Sequence, residues 1–214
     1  MNAQEITLTI EELHRMHPTA ECELDYGTPY ELLISVILSA QCTDKRVNEV
    51  TPALFAWCNT PEAMAEKTVE ELIPYIRSCG FYNNKAKNII ACSRSLVDRF
   101  GGVVPSTVEE LVTLEGVGRK TANVVFAVAF GGEAIPVDTH VFRLAHRLGL
   151  SDATTPEGVE RDLNRQIPEA EWSRFHHLLI HHGRYVCKAR HPLCSECSVS
   201  SCPSRRAPYA PTEQ

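Results

Sequence analysis

Threonine before proline, or three residues before glutamate, recurs along this 214-residue chain and limits its fold more than any other feature. Thr28-Pro29, Thr60-Pro61 and Thr155-Pro156 each put a capping side chain before a first-turn proline, which has no N–H to leave unpaired. Thr9 with Glu12, Thr28 with Glu31, Thr68 with Glu71 and Ser106 with Glu109 have the capping-box spacing. Apolar residues follow at helical intervals. Leu32, Leu33, Val36, Ile37 and Ala40 make one face, Val47, Val50, Leu54 and Phe55 a second, and Ile89, Ile90, Leu96 and Val97 a third. Strand-like alternation is nearly absent. Ala134 to Val137 is the one candidate for a brief extended piece, and Pro136 interrupts it. The pattern predicts an all-α chain of roughly ten short helices with loops of a few residues. There is no low-complexity segment and no fixed repeat, and Ala207 to Gln214 reads as a loose tail.

A hydrophobic share of 43% and a charged share of 22% suit a globular chain with ample core, in one large domain or two small ones. The most apolar stretch, Val124 to Phe130, is too short to span a bilayer and reads as a buried helix. Gly131-Gly132-Glu133 breaks the chain after it. Met1 to His17 has neither a basic start nor an apolar core, so no secretory signal is expected and a reducing cytoplasm is. Nine cysteines in that setting point to metal or cofactor ligation rather than disulfides. The net charge of −6 argues against a general polyanion binder. Its distribution is uneven. Met1 to Asp25 holds six acids against Arg15, and Arg184 to Arg206 holds five bases against Glu196. Such a chain can still present one basic face to DNA.

The segment Leu114-Glu115-Gly116-Val117-Gly118-Arg119-Lys120-Thr121-Ala122 joins two helical stretches through a turn with glycines at its bends. Gly116 and Gly118 tolerate positive φ and leave backbone amides bare. The helix behind them points its unpaired N–H groups and positive dipole end the same way, which makes a phosphate seat. Lys120 falls in that helix's first turn, where the dipole disfavours a charged amine and so favours the neutral form a nucleophile needs. On the glycines alone the segment reads better as a plain αα turn with a solvated lysine, because short glycine motifs recur by chance. Asp138 precedes an amphipathic run from Thr139 to Leu148, where it would cap a helix.

Cys187, Cys194, Cys197 and Cys202 follow the spacing C-x6-C-x2-C-x4-C. Four thiolates complete either a tetrahedral zinc site or a cubane iron–sulfur cluster. Zinc modules favour paired C-x2-C knuckles, so the wide first loop favours a 4Fe–4S cluster. Cys22, Cys42, Cys58, Cys79 and Cys92 are scattered and read as packing residues. His176, His177, His181 and His182 have i, i+4 spacing but no carboxylate or cysteine in register, so they read as core or interface histidines.

The hairpin 114–122, Val137-Asp138-Thr139-His140-Val141-Phe142-Arg143, Leu38-Ser39-Ala40-Gln41-Cys42-Thr43-Asp44 and the four-cysteine tail together resemble the endonuclease III family, from about Asp25 to Cys202. These are helix-hairpin-helix DNA glycosylases with abasic-site lyase activity. The resemblance implies a two-domain all-α fold with a DNA-binding cleft: residues 22–132 with the hairpin, and 1–21 plus 133–214 with a 4Fe–4S cluster on Cys187, Cys194, Cys197 and Cys202. It implies removal of oxidised pyrimidines and β-elimination at the abasic site, through Lys120 as nucleophile and Asp138 as catalytic aspartate. It implies duplex DNA bearing an oxidised or abasic site as partner, contacted by Gly116, Val117, Gly118 and Arg119 of the hairpin. Gln41 matches a position that enters the duplex, Phe81 stands where the family has a leucine wedge, and Lys188 and Arg190 match phosphate contacts. A monomer in the cytoplasm, at the nucleoid in a bacterium, is expected, with no membrane association.

Two departures stand out: the aromatic at Phe81, and four residues rather than five between Cys197 and Cys202. Two rival functions are an adenine-type monofunctional glycosylase, which Lys120 opposes, and a non-catalytic or redox-sensing iron–sulfur module that only binds DNA.

Overall fold

The computed structural model describes residues 1–205, and the tail expected from Ala207 to Gln214 lies outside them. Among the described residues there are eleven α-helices, one 3-10 turn and no strand. None of these helices is long and apolar enough to cross a membrane. The chain divides into two compact units, Cys22–Gly132 and Met1–Glu21 with Glu133–Gln214.

Helix α1 (Ala3–Met16) starts at Asn2, whose side chain accepts from the Glu5 amide while Glu5 accepts from the Asn2 amide. The helix start expected at Thr9 and Glu12 is therefore wrong. Both residues lie inside α1 on its buried side, with Ile6, Ile10 and Leu13. The Thr9 hydroxyl pairs with that of Ser201 at 2.8 Å, and the Glu12 carboxylate accepts from the Ser200 amide and hydroxyl at 3.0 and 2.8 Å. Residue types suited to capping a helix here fasten it to the cysteine-bearing loop.

Unit 22–132 contains α2 (Pro29–Ser39), α3 (Asp44–Trp57), α4 (Pro61–Ala65), α5 (Val69–Ile76), α6 (Tyr82–Phe100), α7 (Val108–Leu111) and α8 (Arg119–Phe130). Thr28, Thr43, Thr60, Thr68 and Thr107 cap α2, α3, α4, α5 and α7, each hydroxyl accepting the amide three residues on. The box is complete at Thr68 and Glu71. At Thr28 the glutamate half is missing, because the Glu31 carboxylate takes the Gly27 amide at 2.6 Å. The start expected at Ser106 and Glu109 falls one residue later, at Thr107 and Glu110. Helix α2 is buried nearly all round and packs on α3, α6 and α8. Leu32, Leu33, Ile34 and Leu38 are fully buried there, at roughly 2 kcal/mol of transfer free energy apiece.

In the other unit, α9 (Thr139–Arg147), α10 (Pro156–Gln166), a 3-10 turn (Glu169–Glu171) and α11 (Trp172–Tyr185) join α1. Helix α11 packs on α1 and α9, and α10 on α9. Leu13, Leu144, Leu163, Phe175 and Leu179 share their core. The Arg174 guanidinium donates to the Pro18 and Ala20 carbonyls at 2.5 and 2.6 Å and holds the chain leaving α1. The segment 134–137 forms no strand; Ala134, Ile135 and Val137 are buried as irregular chain. His176 and His182 are buried as the core reading expects, and burial pushes His177 and His182 down to about 4, so both are neutral at pH 7.

Candidate active site

The turn between α7 and α8 is pinned to the core by Leu114 and Val117, both buried. The Val117 amide donates to the Leu114 carbonyl at 3.2 Å. Its side chain therefore faces inward and offers no contact to a ligand. Gly116 has φ of 77°, and a Cβ there would sit 2.7 Å from the Asn88 Cβ on α6. Gly118 departs from the positive φ expected of it: its φ is −83°, open to any residue, and a Cβ would meet nothing within 4 Å. Neither backbone nor packing requires glycine at 118. A side chain would instead occupy the space in front of α8, whose first amides have no acceptor within the helix.

Gly118 caps α8 without a side-chain hydrogen bond, and the first turn holds no acidic residue. Arg119 and Lys120 open the helix and are exposed. A bare helix N-terminus flanked by two cations suits a phosphate. The two glycines should separate cleanly on mutation. Gly116→Ala is expected to lose about 1–3 kcal/mol of stability to left-handed strain and the Asn88 clash. Gly118→Ala should melt like the parent yet bind a duplex carrying a tetrahydrofuran abasic analogue roughly tenfold more weakly, through loss of a close amide–phosphate contact. Equal melting losses in both would remove the argument for Gly118.

Gln41 and Phe81 are exposed and both left-handed, with φ of 53° and 57°. Phe81 is 65% exposed, so it is not a core phenylalanine, and Gln41 is not a buried helix-end glutamine. Large side chains held in left-handed backbone cost roughly 1–2 kcal/mol each, and such strain concentrates at functional sites. Their turns touch: a Cβ on Gly80 would lie 3.1 Å from the Gln41 carbonyl oxygen. Beneath them the buried Lys85 ammonium donates to the Leu38 carbonyl at 2.7 Å, near the C-terminal end of α2.

In the other unit Asp138 caps α9. Its Oδ1 accepts from the His140 and Val141 amides at 2.8 and 2.9 Å, and the residue is half-buried. Lys188 and Arg190 are exposed on the loop between the first two cysteines of the run. Arg147 on α9 holds that loop by donating to the Lys188 and Ala189 carbonyls at 2.8 and 3.0 Å, and it also reaches the Cys187 Sγ at 3.3 Å. Arg143, one turn earlier, donates to the Gly183 and Cys187 carbonyls at 2.9 and 3.1 Å. Neither arginine was singled out in the sequence, although their i, i+4 spacing on α9 is visible there.

Cys187, Cys194, Cys197 and Cys202 line one cavity of about 180 Å³ together with Arg147 and His182. Among the described residues, no three His, Cys, Asp or Glu side chains are grouped to hold a single metal ion. The fold brings all four cysteines of the run to the wall of that one cavity. Burial raises the Cys197 and Cys202 thiols above the ordinary range, so ligation there must expel protons. His182 lies with its Nε2 at 3.5 Å from the Cys197 Sγ and its Nδ1 at 3.0 Å from the His17 Nε2. The fold thus brings a cysteine beside a histidine that had none in register.

Residues 34–169 match the family of HhH-GPD superfamily base excision DNA repair proteins. Endonuclease III of Synechocystis sp. is 53% identical over 197 residues, covering 91% of this chain and 90% of that protein. The chain belongs to the endonuclease III family. Endonuclease III of Escherichia coli is 47% identical over 183 residues, 86% of each chain. A trapped endonuclease III–DNA covalent intermediate superposes with a TM-score of 0.91 at 47% identity, covering 95% of this chain and 97% of that one. The resemblance carried by the hairpin, the Asp138 segment and the cysteine run thus extends across nearly the whole chain, and the all-α helix-hairpin-helix fold is that of the endonuclease III family.

Proposed function

We propose that this chain excises oxidised pyrimidines from duplex DNA and then cuts the strand at the abasic site, with Lys120 as nucleophile. The observation that carries the assignment is Lys120 itself: an exposed amine in the first turn of α8, directly behind a glycine that the fold does not need. The target nucleotide leaves the stack to be reached. The neutral Lys120 amine attacks C1′, the glycosidic bond breaks, and the base departs with the bonding pair and a proton. A second proton passes from the amine to O4′ as the C1′–O4′ bond breaks, which opens the sugar ring and leaves an imine. The imine draws electrons from C2′, so the 2′ proton is lost and the 3′ phosphate leaves. Asp138 stabilises the developing sugar cation or assists these proton transfers.

Gly116, Gly118 and Arg119 hold the phosphate through the hairpin backbone and the start of α8, with Val117 contributing backbone alone. Gln41 and Phe81 enter the duplex from their adjoining turns; an exposed aromatic serves as a wedge by stacking between base steps. Lys188 and Arg190 supply phosphate contacts from the loop that Arg147 fixes. The thiols of Cys187, Cys194, Cys197 and Cys202 fit a 4Fe–4S cluster by number, by softness and by lining one cavity. Such a cluster, when bound, ties the 187–202 loop through four iron–sulfur bonds; the four-residue gap after Cys197 makes its last turn tighter than the family's. The proposal includes a monomer acting in a reducing cytoplasm, at the nucleoid in a bacterium.

The deciding experiment is borohydride trapping on two duplexes, one with thymine glycol and one with a plain abasic site. A covalent adduct on both is expected. An adduct on the abasic duplex alone would leave a lyase whose base substrate is not thymine glycol, and none on either would leave a module that only binds DNA. Iron and acid-labile sulfide, rather than zinc, are the expected metal analysis.

A further inference from the structure

Five cysteines lie outside the C-terminal run, and two of them form a pair. Cys42 follows the end of α2, and Cys79 lies between α5 and Gly80. Cys42 bears on the Cys79 thiol although the residues are far apart in the chain. The backbone brings the two turns together: a Cβ on Gly80, next to Cys79, would lie 3.1 Å from the carbonyl oxygen of Gln41, next to Cys42. The Lys85 ammonium interacts electrostatically with both thiols, and Arg46 bears on Cys79 from α3. Lys85 is 5% exposed and fixed by its bond to the Leu38 carbonyl, so it stays beside the pair.

The two sulfurs differ in a useful way. Cys42 is half-exposed, whereas Cys79 has no exposed surface. Burial, reinforced by Cys42, pushes the Cys79 thiol up to about 11, and Lys85 and Arg46 act in the opposite direction. A half-exposed cysteine backed by a buried one on the touching turn is the arrangement of an attacking and a resolving cysteine. Packing alone would not require cysteines on both of two touching turns beside a buried lysine.

We propose that Cys42 and Cys79 are a reversible oxidation site, converted by hydroperoxides into an intramolecular disulfide that ties the Gln41 turn to the Phe81 turn. The Cys42 thiolate attacks the peroxide, the O–O bond breaks, and hydroxide (or alkoxide) leaves, giving a sulfenic acid on Cys42. The Cys79 thiol then displaces water from that sulfur, forming the S–S bond. Two thiols are oxidised by two electrons, and one peroxide is reduced to two molecules of water in the case of hydrogen peroxide. A dithiol reductant reverses the step. The bond fixes the spacing of the two exposed, left-handed residues. The proposal does not rest on the assignment of glycosylase activity.

The test treats the whole purified protein with hydrogen peroxide, blocks remaining thiols, and digests with trypsin and a glutamate-specific protease for non-reducing mass spectrometry. Fragments 32–45 and 78–85 each carry one of the two cysteines and no other. The expected product is these fragments joined, lighter than their sum by two hydrogens and separated by dithiothreitol. Cys42→Ser and Cys42→Ala, at the half-exposed position, should lose the product and leave Cys79 as a free thiol. Recovery of Cys42 as a thiol or sulfinic acid with Cys79 free would overturn the proposal. So would cross-links spread over the other cysteines.

Discussion

Lys120→Ala is expected to abolish strand cleavage at an abasic site, by roughly 10⁴-fold or more under single-turnover conditions. The borohydride adduct should vanish with it. The fold gives little reason for a confounding loss of stability. Lys120 is exposed in the first turn of α8, and alanine removes a cation from the positive end of the helix dipole. Stability should hold or rise by a few tenths of a kcal/mol. Binding should change modestly, since backbone amides seat the phosphate. Loss of one positive charge should lower the salt slope of duplex binding by about 1 at most. Cleavage within about tenfold of the parent would mean that Lys120 is a solvated surface residue and that another amine carries the reaction.

The local grammar of helices was legible where one residue decides the outcome. Threonine before proline, and threonine three residues before glutamate, located the starts of α2, α4, α5 and α10, because the cap needs only a hydroxyl and one nearby amide. Thr9 and Glu12 show the limit of that grammar. The same side chains bind Ser201 and Ser200 instead, and no local rule foretells a partner so far along the chain. The site was legible in kind rather than in geometry. A glycine pair announces a turn, but only the fold separates Gly116, whose backbone is left-handed against Asn88, from Gly118, whose space is open. Cysteine spacing announces ligation. The contacts of His182 and Arg147 with those sulfurs depend on packing between helices and were not visible. The turns that carry Cys42 and Cys79, read as scattered packing residues, meet for the same reason.

Asp138→Asn should separate a cap from a catalyst. Both cap hydrogen bonds fall on Oδ1, at 2.8 and 2.9 Å from the His140 and Val141 amides. Asparagine presents the same oxygen to the same amides and caps helices about as well as aspartate. The variant should therefore melt within about 0.5 kcal/mol of the parent, whereas Asp138→Ala should lose about 1 kcal/mol with the cap. Catalysis follows charge rather than capping. The amide can neither balance a sugar cation nor take a proton, so both variants should cut an abasic duplex about 10²–10³-fold more slowly. Single-turnover cleavage measured beside thermal melting gives the two readouts independently. If Asp138→Asn cut at the parent rate while Asp138→Ala was slowed only in proportion to its lost stability, Asp138 would be a helix cap and nothing more. If both variants were slow while only the alanine variant lost its cap, the carboxylate would act in the chemistry itself, alongside the Lys120 amine.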